Sequence, residues 1–420
     1  MQFSELMAVI STYAIRLQRE EDDLVILGDD EALDDALWDN LLRHKTQLLE
    51  LVARNGGDWL SPAFRITPDM LPLVQLDQPS IDRIVAGVPG GAANVQDIYP
   101  LAPLQEGMLY HHLSAQQGDP YVLQAQFAFD SRERFNAFAE ALQWVIDRHD
   151  ILRTALVWER LDQPLQVVWR HAQLVCEEVR LAAAQGDSLS QLQSRFDPRH
   201  YRLDLRQAPL LRLVFAEEVA EQVADDPSQK RLVAMLLFHH TVMDHTALDV
   251  VRRELRARLL EQTELLGQPV PFRNHLAQAL IGSSEQQHEA FFRDMLGDID
   301  EPTLPFGLQD VQGDGRGIEQ SRVAVDSALS LRLRAQARHL GVSAASLMHL
   351  AQALMLSKVS AAESVVFGTV LLGRMDAGAG SDQALGIFIN TLPLRVDIDA
   401  QSVRAAVKTT HLRLTALLGH

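Results

Sequence analysis

Seven consecutive apolar residues, Leu232 to Phe238, run without a break into His239, His240, Thr241, Val242, Met243, Asp244 and His245. An uninterrupted apolar run of this length reads as a strand buried on both faces. A buried strand that ends in a polar cluster carries ionisable groups on a rigid support, which proton transfer and oxyanion binding both require. Three histidines and an aspartate within seven positions make the end of this strand the first candidate site in the chain.

Composition narrows the rest. With 420 residues the chain is too long for one compact core, so two or three structural units are expected. An apolar share of 47% with 22% charged residues is that of a soluble globular protein, and no run nears the roughly eighteen apolar residues of a membrane span. The amino terminus lacks a basic leader and soon turns acidic, so it does not read as a signal peptide, and a cytoplasmic location is expected. Cys176 is the only cysteine, which excludes intrachain disulfides and multi-thiolate zinc sites. It sits in a strand-like stretch with no histidine pattern nearby and is not expected to be a nucleophile. The net charge of −18 argues against nucleic acid or an anionic membrane as partner. That acidity is concentrated: residues 1–60 hold thirteen Asp/Glu against five Lys/Arg. A small acidic module suits recognition of a basic partner segment, although a solvated helical face has the same composition.

Periodicity then divides the chain. Residues 4–14 read as a helix, two alternating runs around an acidic turn at Glu20–Asp23 read as a hairpin, and a helical stretch from Asp34 ends at Gly56-Gly57. A connector rich in Pro follows, with a short helix near Ser80–Ala86 and a break at residues 87–95. From Asp97 the texture is α/β, with helices around Leu104–Leu113, Arg132–Arg148 and Ala247–Leu260. Strands are expected at Tyr121–Phe129, Thr154–Trp158, Gln166–Trp169 and Leu232–Phe238. A second series from Pro271 contains helices at Phe291–Leu296, 328–340 and 343–357. Its strands are expected near Ile318–Val325, Val365–Val370 and Thr391–Val396, with a surface loop over Glu301–Gly317. The expected domains are therefore 1–55, a lead-in over 56–96, an α/β lobe over 97–270 and a second lobe over 271–420. The last residues fall in or just past a helix, which suggests that the second lobe is incomplete.

Four segments in this order resemble one family, the condensation domain of non-ribosomal peptide synthetases. IYPLAPLQEGMLYHHL (Ile98–Leu113) looks like its opening motif and RHDILRT (Arg148–Thr154) matches its second. HHTVMDH (His239–His245) looks like the HHxxxDG active-site motif, and LGIFINTLPLR (Leu385–Arg395) is similar to a later GxFxNT motif that includes Asn390. The resemblance departs from the family at His245, where the motif has glycine. Residues 1–55 look like a TubC-type docking domain. The resemblance implies an α/β (α+β) fold of two chloramphenicol-acetyltransferase-like lobes in a V, preceded by a small helix–hairpin–helix docking domain. It also implies attack of a carrier-bound aminoacyl amine on an upstream carrier-bound acyl thioester. No cofactor is held permanently, because both substrates ride on 4'-phosphopantetheine arms of upstream and downstream peptidyl carrier proteins. The docking module would take the C-terminal segment of an upstream synthetase.

On this resemblance His240 is the catalytic residue, as a general base or as a group that orients the amine and stabilises the oxyanion. Removing a proton from an α-amino group near neutrality costs only about 1 kcal/mol. An oxyanion contact is worth roughly 2.7–4 kcal/mol, so positioning is expected to dominate. His239 and Asp244 complete the cluster. Asp244 is expected to fix the loop by pairing with an arginine, for which Arg374 is the candidate. His245, Arg148 and Asn390 are expected as pocket or structural support, and Tyr110, His111 and His112 as an ordinary amphipathic face. Two other chemistries share the cluster's residues. His240, Asp244 and His245 have donor types a metal accepts, but HExxH and assisting cysteines are absent, so no metal is expected. His239 to Asp244 also fits the HxxxxD spacing of glycerolipid acyltransferases, which need a membrane-facing surface. A starter-type acyltransferase of the same fold and a catalytically altered interaction domain remain as alternatives, with an epimerisation domain behind them.

Overall fold

The computed structural model describes residues 1–13, 15–20, 23–28, 33–54, 58–61, 64–182, 186–218, 231–282, 285–309, 319–372 and 384–420. They form two compact units, Met1–Phe272 with Gln383–Gly386, and Arg273–Asp382 with Ile387–His420.

The first unit begins with α1 (Phe3–Ile10), the hairpin β1 (Ile15–Glu20) and β2 (Asp23–Gly28), α2 (Asp35–Arg43), α3 (Lys45–Arg54) and β3 (Asp58–Leu60). The strands are ordered β2-β1-β3, antiparallel throughout, so β2 is an edge. Alternation along β1 buries Ile15 and Leu17 on the face that packs on Leu6, Ile10, Leu37, Leu41, Leu48 and Val52 from the helices. Asp34 caps α2 by accepting the Leu37 N–H at 2.8 Å. The helical stretch expected to be continuous from Asp34 breaks at His44, whose ring contacts Gln47 and the Met1 carbonyl. The short β3 carries too few residues for a periodic signal.

The lead-in that follows is packed rather than loose. Phe64, Ile66, Leu71 and Val74 join Ile81, Ile84 and Val88 of and beside α4 (Gln78–Ala86) against Val95, Ile98, Leu165, Val167 and Trp169. Those last residues lie on β4 (Val95–Pro100) and β7 (Leu165–Trp169), which with β6 (Thr154–Val157) make an antiparallel sheet ordered β4-β7-β6. Between β4 and β6 come α5 (Pro103–Ser114), β5 (Val122–Phe129) and α6 (Arg132–Arg148). After β7 come β8 (Val175–Glu178), α7 (Ser188–Arg195), β9 (Leu211–Glu217), β10 (Leu232–His239) and α8 (His245–Leu259). The second sheet of the unit is ordered β5-β10-β9-β8. Every residue of β10 is buried, as its apolar run requires, yet it pairs antiparallel with both β5 and β9. Central placement, not parallel pairing, accounts for its lack of alternation.

Two buried backbone contacts close this unit. Asp150 accepts the N–H of Ile151 at 2.7 Å and, with both carboxylate oxygens, that of Phe272 at 3.2–3.3 Å. Near the other crossing of the chain, Gly386 (φ +141°) packs against the Phe272 ring, and its carbonyl accepts the Asp244 N–H at 3.3 Å.

The second unit holds most of α9 (Phe272–Gly282), then α10 (Glu285–Leu296), α11 (Ser327–Leu340), α12 (Ala344–Ser360), β11 (Ser364–Leu372), β12 (Ile389–Asp397) and α13 (Val403–Leu417). Leu350, Leu356, Val365, Leu394, Val396, Val407, Leu414 and Leu417 form its core. The strand expected near Ile318–Val325 is not there: Ile318 lies outside the described residues, and residues 319–325 have no regular structure. Val323 and Val325 alternate as a strand would, but they are 86% and 54% exposed, and no neighbouring strand pairs with them. Much of the expected loop over Glu301–Gly317 also lies outside the described residues.

A charged network ties β12 to its neighbours. Asp397 accepts from Ser364 Oγ (2.7 Å), Arg395 Nε (2.8 Å) and Arg413 Nη2 (2.7 Å), while Arg395 also holds Asp298. Burial alone would raise the Asp397 pKa, but the three donors outweigh it and hold the carboxyl at about 2. A depressed carboxylate adds stability that is full above its unfolded pKa and is lost as pH falls through the folded value. Asp397→Asn is therefore expected to cost about 1–3 kcal/mol near neutrality. In denaturant titrations its difference from wild type should stay level down to pH about 4 and shrink towards pH about 2. A difference independent of pH would reject the assignment.

Candidate active site

The cluster sits where β10 ends and α8 begins. The His240 N–H donates to the Tyr121 carbonyl (2.8 Å), which carries the sheet pairing of β5 and β10 one residue past the strand. The His240 ring is half-buried, and its Nδ1 lies 3.0 Å from the Met243 carbonyl. A carbonyl only accepts, so Nδ1 carries the proton and the Nε2 lone pair of the neutral ring is left available. Among the described residues Nε2 has no protein partner. An imidazole held in this tautomer can accept a proton from an amine or, once protonated, donate to an oxyanion.

His239 is wholly buried and differently occupied. Its Nδ1 accepts from the Thr241 N–H (3.2 Å) and lies 2.8 Å from Thr241 Oγ1, which puts its proton on Nε2, 3.1 Å from Asp119 Oδ2. The same carboxylate oxygen receives His112 Nδ1 at 2.5 Å, and Oδ1 accepts the Tyr121 N–H at 2.9 Å. Burial disfavours the Asp119 charge, but these donors prevail and hold its carboxyl well below the usual carboxylate range. Burial lowers the His239 pKa, which keeps that ring neutral. The three facing atoms of His112, Asp119 and His239 lie within 4.8 Å of one another, a spacing a metal ion also accepts, but each is already engaged in a hydrogen bond.

The expectation that His112 belongs to an ordinary amphipathic face is corrected by this network: Tyr110 is exposed, whereas His112 points inward to Asp119. Asp119 is not singled out by the sequence, and Gln105 lies in the opening motif without a role assigned to it there. Gln105, fully buried on α5, exchanges amide hydrogen bonds of 3.0 Å with Gln166 and donates to the Thr241 carbonyl at 2.8 Å. Two elements distant in sequence thus brace the turn that carries His240.

Asp244 caps α8, accepting the Ala247 N–H at 2.7 Å. Its expected partner Arg374 lies outside the described residues. His245 opens α8, exposed and with no positive φ, so a histidine meets no backbone strain where the motif has glycine. Arg148 is engaged with Glu254 (3.2 Å) and the Gly267 carbonyl, and lies over the Trp144 ring. Glu254 also takes His149 Nε2 at 2.8 Å, so the RHDILRT segment braces α6 against α8. Asn390 lies on β12 in the second unit, where its Oδ1 accepts the Thr391 N–H at 2.9 Å. A cavity of about 400 Å³ elsewhere in the first unit, between α4 and strands β6 and β7, includes none of the cluster. Among the described residues no single helix is long and apolar enough to cross a membrane; α11 and α12 pass that test only together, bent by 105°.

Comparison with known proteins gives this arrangement a family. The family model described as Condensation domain matches residues 95–419. The chain belongs to the condensation-domain family. Among its relatives, malpinin synthetase of Mortierella alpina is 49% identical over 358 residues, covering 85% of this chain and 4% of that one. Malpibaldin synthetase of the same organism is 46% identical over 355 residues, covering 84% and 6%. The chain thus spans a small fraction of the length of these relatives. In fold, this condensation domain is similar to the cyclization-docking bidomain of EpoB from Sorangium cellulosum. The TM-score is 0.58 at 17% identity, over 100% of this chain and 78% of the other. The chain is also similar to the condensation domain of the Monacolin K polyketide synthase MokA, with a TM-score of 0.56 at 17% identity over 77% of this chain and 73% of the other. The mixed α/β fold expected from the sequence is the fold of these structures.

Proposed function

We propose that this condensation domain forms an amide bond between an upstream carrier-bound acyl or peptidyl thioester and the amine of a downstream carrier-bound aminoacyl group. The amine nitrogen attacks the thioester carbonyl, the C–N bond forms, and the tetrahedral intermediate collapses with loss of the upstream thiol. The amine proton leaves by way of His240 Nε2, and the thiolate takes up a proton. The observation that carries this reading is the His240 ring, fixed by the Met243 carbonyl with Nε2 unengaged on a half-buried turn. His239 and Asp244 act by holding that turn. Asp244 pairs with Arg374 in this reading, while Arg148 and Asn390 support the lobes that contain them. No cofactor is held permanently; both substrates arrive on 4'-phosphopantetheine arms of carrier proteins.

Residues 1–55 serve as a docking module for the C-terminal segment of an upstream synthetase. A solved structure whose likeness covers the whole chain is described as a cyclization-docking bidomain, and among the described residues β2 offers an unpaired strand edge in an acidic module. A basic segment added beside β2 fits both features.

The experiment supplies the full chain with a donor carrier bearing an acyl group and an acceptor carrier bearing an amino acid, and follows the product by mass spectrometry. Amide on the acceptor carrier is expected, and none would reject the reading. Deleting residues 1–55 is expected to slow transfer from a separate upstream protein about tenfold or more, as the effective concentration that docking provides is lost. Transfer from a donor carrier fused to the chain should be unchanged. Equal loss in both arrangements would reject the docking role.

A further inference from the structure

Asp119 is the point on which the turn carrying His240 is hung. It lies between α5 and β5, far in sequence from the histidine cluster, and is 1% exposed. Gly118 sets it there: at φ +66° its position leaves no room for a Cβ, which would come within 2.3 Å of the Arg199 carbonyl oxygen. The Asp119 N–H donates to the Pro198 carbonyl at 2.7 Å, so main chain and side chain are both fixed. The carboxylate then gathers three donors from three elements: His112 of α5, Tyr121 at the start of β5, and His239 at the end of β10. Tyr121 passes the constraint on, because its N–H is held by Asp119 while its carbonyl holds the His240 N–H. His239 is fixed on the other side, its Nδ1 taken by Thr241 and its Nε2 by Asp119.

We infer that Asp119 is a positioning residue for condensation, a buried carboxylate that locks the tautomer of His239 and, through His239 and Tyr121, sets where His240 Nε2 points. This rests on the reading of His240 as the reacting histidine. The chemistry demands an ionised acid. Oδ2 accepts from two imidazole N–H groups and Oδ1 from the Tyr121 N–H, whereas an amide has a single acceptor oxygen: with that oxygen towards the histidines its NH2 meets the Tyr121 N–H, and in the other orientation its NH2 meets both imidazole donors. His239 would then have to move its proton to Nδ1, which faces the Thr241 N–H and cannot stay there as a donor. The end of β10 has to shift, and the His240 contact with Met243 goes with it.

The variant is Asp119→Asn in the full chain, assayed with loaded donor and acceptor carriers alongside wild type and His240→Ala. The expected result is a fall in kcat of about 10- to 100-fold with little change in KM for the acceptor carrier, since a misplacement of about 1 Å costs on that order. Imidazole ¹⁵N spectra supply a reading that a general loss of folded protein does not move. In wild type His239 carries its proton on Nε2 and His240 on Nδ1, and both assignments should be lost in Asp119→Asn. His112→Asn keeps an N–H donor for the carboxylate and is expected to retain most activity, whereas His112→Phe should lose it. If Asp119→Asn fails to fold, this pair carries the same comparison with the acid in place. Wild-type kcat in Asp119→Asn or His112→Phe, or unchanged tautomers in Asp119→Asn, overturns the inference. Full activity in His240→Ala would instead overturn the reading of the reacting histidine.

Discussion

His240→Ala is expected to reduce amide formation by about 10²–10³ in kcat, with carrier affinity little changed. A positioned proton acceptor and an oxyanion contact are each worth factors of that order, and the alanine removes the ring that supplies either. Stability should hardly respond: the ring is half-buried, and its one hydrogen bond among the described residues, to the Met243 carbonyl, lies in a turn. The loss in unfolding free energy should be about 1 kcal/mol or less. A second substitution separates the two roles. Glutamine retains an N–H donor but cannot take up a proton near neutrality, so His240→Gln should recover part of the rate if the ring orients the amine and the oxyanion. It should match alanine if proton transfer is what the ring contributes. Single-turnover measurements with pre-loaded carriers read this directly, and undiminished turnover in the alanine variant would sink the assignment.

The second large effect is structural. A Cβ at Gly386 would stand 2.3 Å from Cδ2 and 2.7 Å from Cε2 of Phe272, a fully buried ring, at a φ of +141° that side chains rarely adopt. Backbone strain of about 1–3 kcal/mol and overpacking of about 1–3 kcal/mol together make Gly386→Ala cost about 2–6 kcal/mol. Against a usual total of about 5–15 kcal/mol, that is enough to lower the melting temperature sharply. Relief by moving the loop would pull the Gly386 carbonyl from the Asp244 N–H, so activity should fall further than the folded fraction does. Gly107→Ala is the control. Gly107 lies in α5 with nothing within 4 Å of its added Cβ, and alanine there should raise stability by about 0.5–1 kcal/mol. Equal melting of the two variants would show that the close approach at Gly386 does not matter.

How far the sequence carries can be seen residue by residue. The run Leu232–Phe238 is legible because burial on both faces leaves it no polar position, and α6 is legible because Phe135, Phe138, Leu142, Val145 and Ile146 keep a helical period. The strands β3, β4 and β9 are not legible. β3 is three residues long, β4 runs directly into the segment that opens α5, and β9 packs so much of its length into the sheet that alternation fades. The opposite error arises at Val323 and Val325, whose alternation has no partner strand. At the site, His240 and its neighbours stand together in the sequence, so local pattern suffices to find them. Asp119 lies in an unremarked turn, and His112 looks like one more residue of an exposed helix face. Only the pairing of β5 with β10, which sets Val122 opposite His239, brings the three together. Contacts made by strand register across more than a hundred residues leave no periodic mark.

The bond between Asp244 and Gly386 also bears on the order in which the chain assembles during translation. The first unit borrows residues 384–386 from beyond residues 273–382 of the second, so an emerging polypeptide that already contains every histidine of the cluster still lacks the backbone acceptor beside it. The turn reaches its finished form only after the ribosome has passed residue 386. Until then the Phe272 ring lacks the Gly386 backbone that packs against it in the folded chain.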